Sequence, residues 1–237
     1  MSRPVLLNNV EHGRLRVATG HGAAYGDAVN QTVVFPTEFE ALQREYAILL
    51  RRNAEGVYRA VVLLGIDAGE NLYLDGDHWD ARYVPALHAR GPFSIGVAPG
   101  GDAGEPMVHV DLDHARVGDR GEPLFLEHGG NAPLLDHVSE ILRSIYAGSR
   151  MGEPMIAEWL ALDLIAPVTL QLDLDEERRV NVPDCHTIDT ARLAALDGAA
   201  LERLHRADLL RPAMFVAASL GNVRHLLDRK RHRDARG

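Results

Sequence analysis

Aromatic, arginine and amide side chains are concentrated in residues 69–93 of this sequence. The chain has five Phe, two Trp and six Tyr, yet four of these residues lie within the 21 positions from Tyr73 to Phe93. Aromatic rings provide apolar contact area, and a guanidinium group can donate two parallel hydrogen bonds to a carboxylate or phosphate. We therefore predict that this stretch binds a ligand through Glu70, Asn71, Trp79, Arg82, Tyr83, Arg90 and Phe93.

Three kinds of group would share the recognition at this predicted surface. A turn that carries Glu70 and Asn71 would provide hydrogen bonds. The rings of Trp79 and Tyr83 would provide contact area, and the two arginines would pair with an anion. We expect the ligand to be a small molecule, a peptide segment or a partner protein, and a carboxylate is the group to test. The alternative is that the aromatic residues only fill the core, while the arginines pair with acidic residues at its edge.

A second group of residues has the spacing of an iron site. His109 and Asp111 match the His-x-Asp part of the facial triad that binds Fe(II) in non-haem oxygenases, and His186 could be the third ligand. Arg192 could hold the co-substrate, but it falls in a predicted helix where the oxygenase barrel requires strands. An Fe(II) oxygenase is therefore kept as an alternative, and the favoured function is non-enzymatic and uses no cofactor.

The remaining candidate groups have simpler structural interpretations. The aspartates of "LDGDHWD" are typical of a hairpin turn and lack the ligand spacing of an EF-hand. Cys185 and His186 would point to opposite faces of a strand, so they cannot form a catalytic pair directly. The sequence contains neither a Gly-x-Ser-x-Gly elbow nor a Gly-Lys-Ser/Thr phosphate loop. His12 and His21 are expected at the surface.

Composition and charge argue against several classes of partner and location. The 25 basic and 34 acidic residues give a net charge of −9, which repels nucleic acid and anionic lipid. No segment approaches the roughly 18 apolar residues that a membrane span requires. The N-terminus lacks an apolar stretch of signal-peptide length, and a single cysteine fits a reducing compartment. We therefore expect a cytoplasmic protein that does not bind nucleic acid.

The segment "DRKRHRDARG" at the end of the sequence has the opposite charge balance from the rest of the chain. It contains five Lys or Arg residues and two Asp residues. Such an end is typical of a solvated, frayed terminus. The alternative is that it contacts an acidic partner.

The N-terminal part, residues 1–128, has the pattern of a sheet built from hairpins. Thr37 and Glu40 have capping-box spacing, which predicts a short helix that begins at about residue 38. The apolar runs "YAILL" and "VYRAVVLLGI" predict a buried antiparallel pair. The segments "FSIGVAP" and "PMVHVDLD" alternate at a period of two and predict half-exposed strands on either side of the loop "GGDAGE".

The C-terminal part, residues 129–237, is predicted to be rich in helices, with a β-hairpin near 167–183. Asn131 would cap a first helix that stops at Gly148, and "PMIAEWLALDLI" would form a second helix. Asp189 would cap another helix, and Pro212 would open the longest one. We assign the whole chain, 1–237, to one α+β domain in which a mostly antiparallel sheet is packed by a C-terminal helical layer. The final helix carries a narrow face of small residues that suits close packing and would also permit a homo-oligomer: Met214, Ala217, Ala218, Leu220 and Leu227.

The succession of motifs resembles the bacterial SapC family over about residues 12–228. The motifs that carry the resemblance are Glu38-Phe39, Leu64-Gly65, Gly69 to Tyr73, Trp79 with Tyr83 and Pro85, and Arg90 to Phe93. This chain has Gly91 where the family usually has an aromatic residue. The resemblance implies an accessory protein associated with surface-layer, uptake or modification systems, and a purely structural or assembly role is a further alternative.

Overall fold

A computed structural model describes residues 3–96, 107–174 and 178–236 of the chain, and these residues form an α+β fold, as predicted. The predicted loop "GGDAGE" lies outside the described residues. The strands are β1 (Pro4–Leu6), β2 (Arg16–Val17), β3 (Gln31–Val33), β4 (Ile48–Arg52), β5 (Tyr58–Leu63), β6 (Leu74–Asp75), β7 (His78–Trp79), β8 (Phe93–Gly96), β9 (Met107–Asp111), β10 (Val117–Gly118), β11 (Glu122–Pro123), β12 (Ile165–Pro167), β13 (Leu170–Asp173), β14 (Arg179–Val182) and β15 (His186–Ile188). The helices are α1 (Phe39–Leu42), α2 (Ala86–Ala89), α3 (Pro133–Ala161), α4 (Thr190–Ala194), α5 (Gly198–Arg206), α6 (Leu210–Ser219) and α7 (Val223–Asp234).

The largest sheet has five strands in the order β12-β15-β4-β5-β3, and all of its pairs are antiparallel. The predicted β4–β5 pair is confirmed, with Leu49 opposite Val61. The predicted hairpin near 167–183 is also confirmed as β13 and β14. The C-terminal part adds β12 and β15 to the main sheet, which the sequence did not indicate because three-residue strands are too short to show an alternating pattern. Two three-stranded sheets, β1-β9-β8 and β10-β2-β11, lie beside it.

Helix α3 is continuous over 29 residues, so the predicted stop at Gly148 is wrong. A Cβ atom on Gly148 would lie 2.6 Å from Cβ of Phe35 and 2.7 Å from Oγ1 of Thr37. The glycine therefore allows the segment before α1 to approach the helix closely. The hydroxyl of Thr37 donates to the carbonyl of Ser144 at 3.0 Å across the same contact. The N-cap of α3 is Ala132, because the side chain of Asn131 donates to Asp136 instead.

We expect Gly148→Ala to destabilise the protein by about 1–3 kcal/mol. The added methyl group meets a Cβ atom that cannot move without its backbone, and overpacking of this kind outweighs the gain of about 1 kcal/mol in helix propensity. Gly152→Ala is a matched control one turn along α3, because a Cβ atom there meets nothing within 4 Å. Urea denaturation should show Gly152→Ala to be neutral or stabilising. A stabilised Gly148→Ala variant would contradict the close approach.

Other predicted helix boundaries are corrected by their hydrogen bonds. Helix α1 begins at Phe39, one residue after the predicted start, but Thr37 and Glu40 do not form its capping box. Instead, the carboxylate of Glu38 accepts from the backbone N–H of Phe35 at 2.9 Å. The predicted cap of α4 is confirmed, because Asp189 accepts from the N–H groups of Ala191 and Arg192.

The helix predicted to open at Pro212 is interrupted by a 3-10 turn, Leu220–Asn222, which separates α6 from α7. The amide of Asn222 donates to the carbonyls of Gln43 and Tyr46, and this contact fixes the break against the main core. The predicted small-residue face is divided, because Ala217 and Leu220 pack against the main core whereas Met214 is exposed. The face of α6 that packs inward is formed by Pro212, Ala213, Val216 and Ser219. None of the helices in the described ranges is long and apolar enough to cross a membrane.

The buried apolar residues form two clusters, and α3 contributes to both. The larger cluster covers the five-stranded sheet and includes Met155 and Trp159 from the second half of α3. The smaller one includes Phe93 of β8 together with Val138 and Leu142 from the first half of the helix. Helix α3 therefore spans the boundary between the two clusters.

The basic C-terminal segment is docked on the protein, so its interpretation as a solvated terminus is wrong for the described residues. Lys230 is only 5% exposed, and its ammonium group lies 2.8 Å from the carboxylates of both Asp67 and Glu70. The guanidinium group of Arg233 donates to the backbone carbonyls of Asn71 and Leu74. The acidic groups that this basic segment contacts are therefore carboxylates of the same chain.

Candidate functional site

Trp79 of the predicted binding surface lies inside the main core. It is 2% exposed, and its indole N–H donates to the hydroxyl of Tyr46 at 2.8 Å. The Tyr46 hydroxyl in turn donates to the carbonyl of Tyr83 at 2.6 Å. Burial raises the pKa of Tyr46 well above its ordinary value, so this hydroxyl stays protonated. The indole therefore packs against other residues of the protein rather than presenting its surface to a ligand.

Glu70 and Asn71 also direct their side chains to groups of the same chain. Glu70 pairs with Lys230 and accepts from the backbone N–H of Ile66 at 3.2 Å. The amide of Asn71 donates to the carbonyl of Asp27 at 2.9 Å, and its oxygen accepts from the N–H of Tyr73 at 2.9 Å. The hydrogen bonds expected for a ligand at this turn are made to the protein, and they fix the position of the turn.

The other four predicted residues line one cavity of about 400 Å³, which we call the first cavity. They are Arg82, Tyr83, Arg90 and Phe93, which come from the segment after β7, from the end of α2 and from the start of β8. The opposite wall is formed by α3, through Leu134, His137, Val138 and Ile141. His21 and Arg116 complete the polar part of the lining. A volume of this size is at the lower end of the range for small-molecule sites.

The electrostatic character of the first cavity is positive. Three arginines and two histidines line it, and the described lining residues include no Asp or Glu, although the chain as a whole has a net charge of −9. Arg90 is half-buried, and its guanidinium group donates to the carbonyl of Phe93. Burial lowers the pKa of Arg90, and within the described ranges no carboxylate lies at ion-pairing distance from it. This cation is therefore available to an anionic ligand.

Tyr83 is held at the cavity wall by a buried carboxylate. Its hydroxyl donates to Glu38 at 3.1 Å, and the same oxygen accepts from the backbone N–H of Ala86 at 2.9 Å. Because Ala86 is the first residue of α2, Glu38 joins the start of this helix to the ring of Tyr83. Burial raises the pKa of Glu38 although three hydrogen bonds favour its ionised form.

A buried charged cluster lies directly behind the cavity, and sequence analysis did not find it. Asp27 is at its centre, with one carboxylate oxygen 2.9 Å from Nδ1 of His88. The other oxygen lies 2.9 Å from Nη2 of Arg116 and 3.3 Å from Nδ1 of His21. The prediction that His12 and His21 lie at the surface is therefore wrong, since His12 is buried and His21 belongs to this cluster.

The cluster keeps Asp27 ionised and encloses the indole of Trp79. Burial alone would raise the pKa of Asp27, but hydrogen bonds from His21, His88 and a backbone N–H, with the charge of Arg116, hold this pKa far below its usual range. The ring centroids of His21 and His88 lie 5.4 Å and 5.1 Å from that of Trp79. The cluster therefore connects His21 and Arg116 of the cavity lining with Trp79 of the main core.

A second cavity of about 570 Å³ lies on the other side of the cluster. Arg90, Gly91, Pro92 and Arg116 line both cavities and form the partition between them. Gly91 has φ +55°, and a Cβ atom there would lie 3.5 Å from Nη1 of Arg116. Glycine adopts this left-handed backbone conformation without strain, whereas the aromatic residue that the resemblance leads one to expect here would be strained.

The residues of the iron alternative are not brought together. His109 and Asp111 lie on β9, whereas His186 lies on β15 in the five-stranded sheet, with its ring against Tyr58. Arg192 lies in α4, as predicted, and pairs with nearby aspartates. Over the described ranges, no three His, Cys, Asp or Glu residues are grouped so that they could hold a metal ion.

The family model described as SapC matches residues 7–226, which is most of the chain. No curated protein and no solved structure matches.

Proposed function

The chain belongs to the SapC family, and on this premise we propose that it binds a small molecule with a carboxylate group in the first cavity. The observation that carries the proposal is that the described residues lining this cavity include three arginines and no carboxylate. Arg116 is already neutralised by Asp27, so Arg90 and the exposed Arg82 are the cations that remain for a ligand. A guanidinium group can bind a carboxylate through two parallel hydrogen bonds.

The apolar body of the ligand would lie between the two walls of the cavity. Tyr83 lies on one side, and Leu134 and Ile141 of α3 lie on the other, while the buried Phe93 and Val138 pack within the walls. A mostly apolar lining with a few placed polar groups is typical of small-molecule sites. A carboxylate at the end of a peptide chain would present the same chemistry. Membership of the family also supports a role beside a surface-layer or uptake system, and we include this role in the proposal.

The test compares benzoate with benzamide, which has the same shape but no charge, on the full-length protein. We expect benzoate to raise the melting temperature and benzamide to leave it unchanged. Arg90→Gln should weaken benzoate binding by about tenfold or more, because a charge-assisted hydrogen-bonded pair contributes roughly 1.5–3 kcal/mol. Isothermal titration calorimetry gives the two affinities.

Arg14→Gln is the matched control, because Arg14 is exposed and lines neither cavity. It makes the same change in net charge and should leave the affinity for benzoate unaltered. Equal binding of benzoate by the Arg90→Gln variant and the parent would show that the carboxylate is held elsewhere. Equal binding of benzoate and benzamide would remove the anionic part of the proposal.

A further inference from the structure

We propose that the ligand of the first cavity is a hydroxy acid, whose carboxylate pairs with Arg90 and whose hydroxyl forms a hydrogen bond with Nε2 of His21. The inference rests on the proposed function and deepens it, because it specifies the second polar group of the ligand. It starts from the one ring in the Asp27 cluster that also lines the first cavity.

The hydrogen bonds of Asp27 set the orientation of the His21 ring. Nδ1 of His21 lies 3.3 Å from a carboxylate that is 3% exposed and ionised. Nη2 of Arg116 also lies 3.3 Å from Nδ1, so this nitrogen has both an acceptor and a donor beside it. In either tautomer Nδ1 is engaged inside the cluster, and Nε2 can pair with a hydroxyl group, which both donates and accepts hydrogen bonds. Arg116 donates to the same carboxylate oxygen at 2.9 Å and keeps Asp27 ionised.

His21 and His88 share Asp27, but their second nitrogens have different surroundings. Nε2 of His88 is fully buried without a hydrogen-bond partner. The His21 side chain retains 15% exposure and lines the first cavity, with Nδ1 turned away towards Asp27. Over the described part of the chain, no group donates to or accepts from Nε2 of His21. The edge of the ring that carries Nε2 is therefore the part that a ligand can use.

The first cavity thus presents one cation and one ring nitrogen without a partner among the described residues to the same ligand. An acid without a hydroxyl group pairs with Arg90 but leaves Nε2 of His21 unpaired. A site built to bind a hydroxyl group discriminates against an analogue that lacks it, because the polar group of the site is then left unpaired. A ligand that carries a hydroxyl group as well as a carboxylate is the complement of this pair of residues.

The experiment uses mandelate and phenylacetate, which differ only in the hydroxyl group, with the full chain labelled with ¹⁵N at histidine. We expect the better-bound enantiomer of mandelate to bind about tenfold more tightly than phenylacetate. Mandelate should shift the Nε2 resonance of His21, and phenylacetate should leave it in place. His21→Phe should bring the two affinities together, and His21→Gln, which retains an acceptor, should restore part of the difference.

The outcomes separate this inference from the proposed function. If both acids bind equally and Arg90→Gln weakens both, the hydroxyl contact is refuted and the carboxylate site stands. If neither acid binds at millimolar concentration, or if Arg90→Gln changes neither affinity, both proposals are refuted. A preserved preference for mandelate in His21→Phe would assign the hydroxyl contact to another residue and overturn the inference.

Discussion

Asp27→Asn should lower the free energy of unfolding by about 3–5 kcal/mol, because it removes the only carboxylate paired with Arg116 among the described residues. The side chain of Arg116 is 5% exposed, so water cannot replace the lost counter-ion. The asparagine amide also cannot accept all the hydrogen bonds that His21, His88 and the N–H of Gly22 now make. Urea denaturation at pH 7 measures the change.

Asp173→Asn provides the matched control, since it breaks an ion pair with Arg179 in which both side chains are about 60% exposed. Exposed pairs contribute roughly 0–1 kcal/mol, so the control variant should remain close to the parent. If the two variants lose similar amounts of stability, the Asp27 cluster is solvated rather than buried, and the wall behind the first cavity has been misplaced.

The stability that Asp27 contributes should decrease in acid. Its pKa in the folded protein lies far below the ordinary value, whereas in the unfolded chain it takes up a proton at about pH 3.9. Below that pH the unfolded state binds a proton that the native state does not, so stability falls as pH decreases. The difference in unfolding free energy between the parent and Asp27→Asn should therefore shrink between about pH 5 and pH 2. A difference that stays constant over this range would contradict the assignment.

Trp79→Ala should lower the free energy of unfolding by about 3–5 kcal/mol, which is the usual loss for a fully buried aromatic residue. The variant loses the packing of the indole between His21 and His88 and leaves the hydroxyl of Tyr46 without its donor. The sequence alone suggested a different result, namely a folded protein with weaker ligand binding. Thermal and urea denaturation, followed by benzoate titration of the remaining folded protein, distinguish the two.

Met214→Ala is the control for this prediction, because Met214 is 50% exposed and its truncation should change stability by less than about 0.5 kcal/mol. A Trp79→Ala variant that keeps the stability of the parent but does not bind benzoate would show that the indole contacts the ligand. The buried position of Trp79 instead predicts a destabilised variant that binds benzoate with near-parental affinity.

The sequence pattern singled out residues 69–93, but it could not assign each of their side chains to the core or to the first cavity. Trp79 and Tyr83 are four residues apart and have similar chemistry, yet only Tyr83 lines the cavity. Their directions depend on Tyr46 and Glu38, which meet them only after the chain has folded. By contrast, the long apolar runs of β4 and β5 predicted a buried pair of strands. A continuously apolar strand is expected to be buried on both faces, whichever residues pack against it.

The Asp27 cluster could not be found in the sequence, because its members have no fixed spacing. His21, His88 and Arg116 come from three separate segments and meet only in the folded chain. Single histidines in polar segments are usually at the surface, and this rule predicted the wrong position for His21. The signal that was present is the Arg90-to-Phe93 motif of the family, whose backbone separates the two cavities.

Helix α3 is continuous over 29 residues, about 43 Å, with Pro154 inside it, and only its first three turns line the first cavity. Its far end is held by Met155 and Trp159 in the main core, and its middle is pressed against Phe35 at Gly148. The position of this wall of the first cavity therefore depends on contacts that are remote from it. We expect substitutions that repack the main core around Met155 and Trp159 to change the width of the first cavity without altering any residue that lines it.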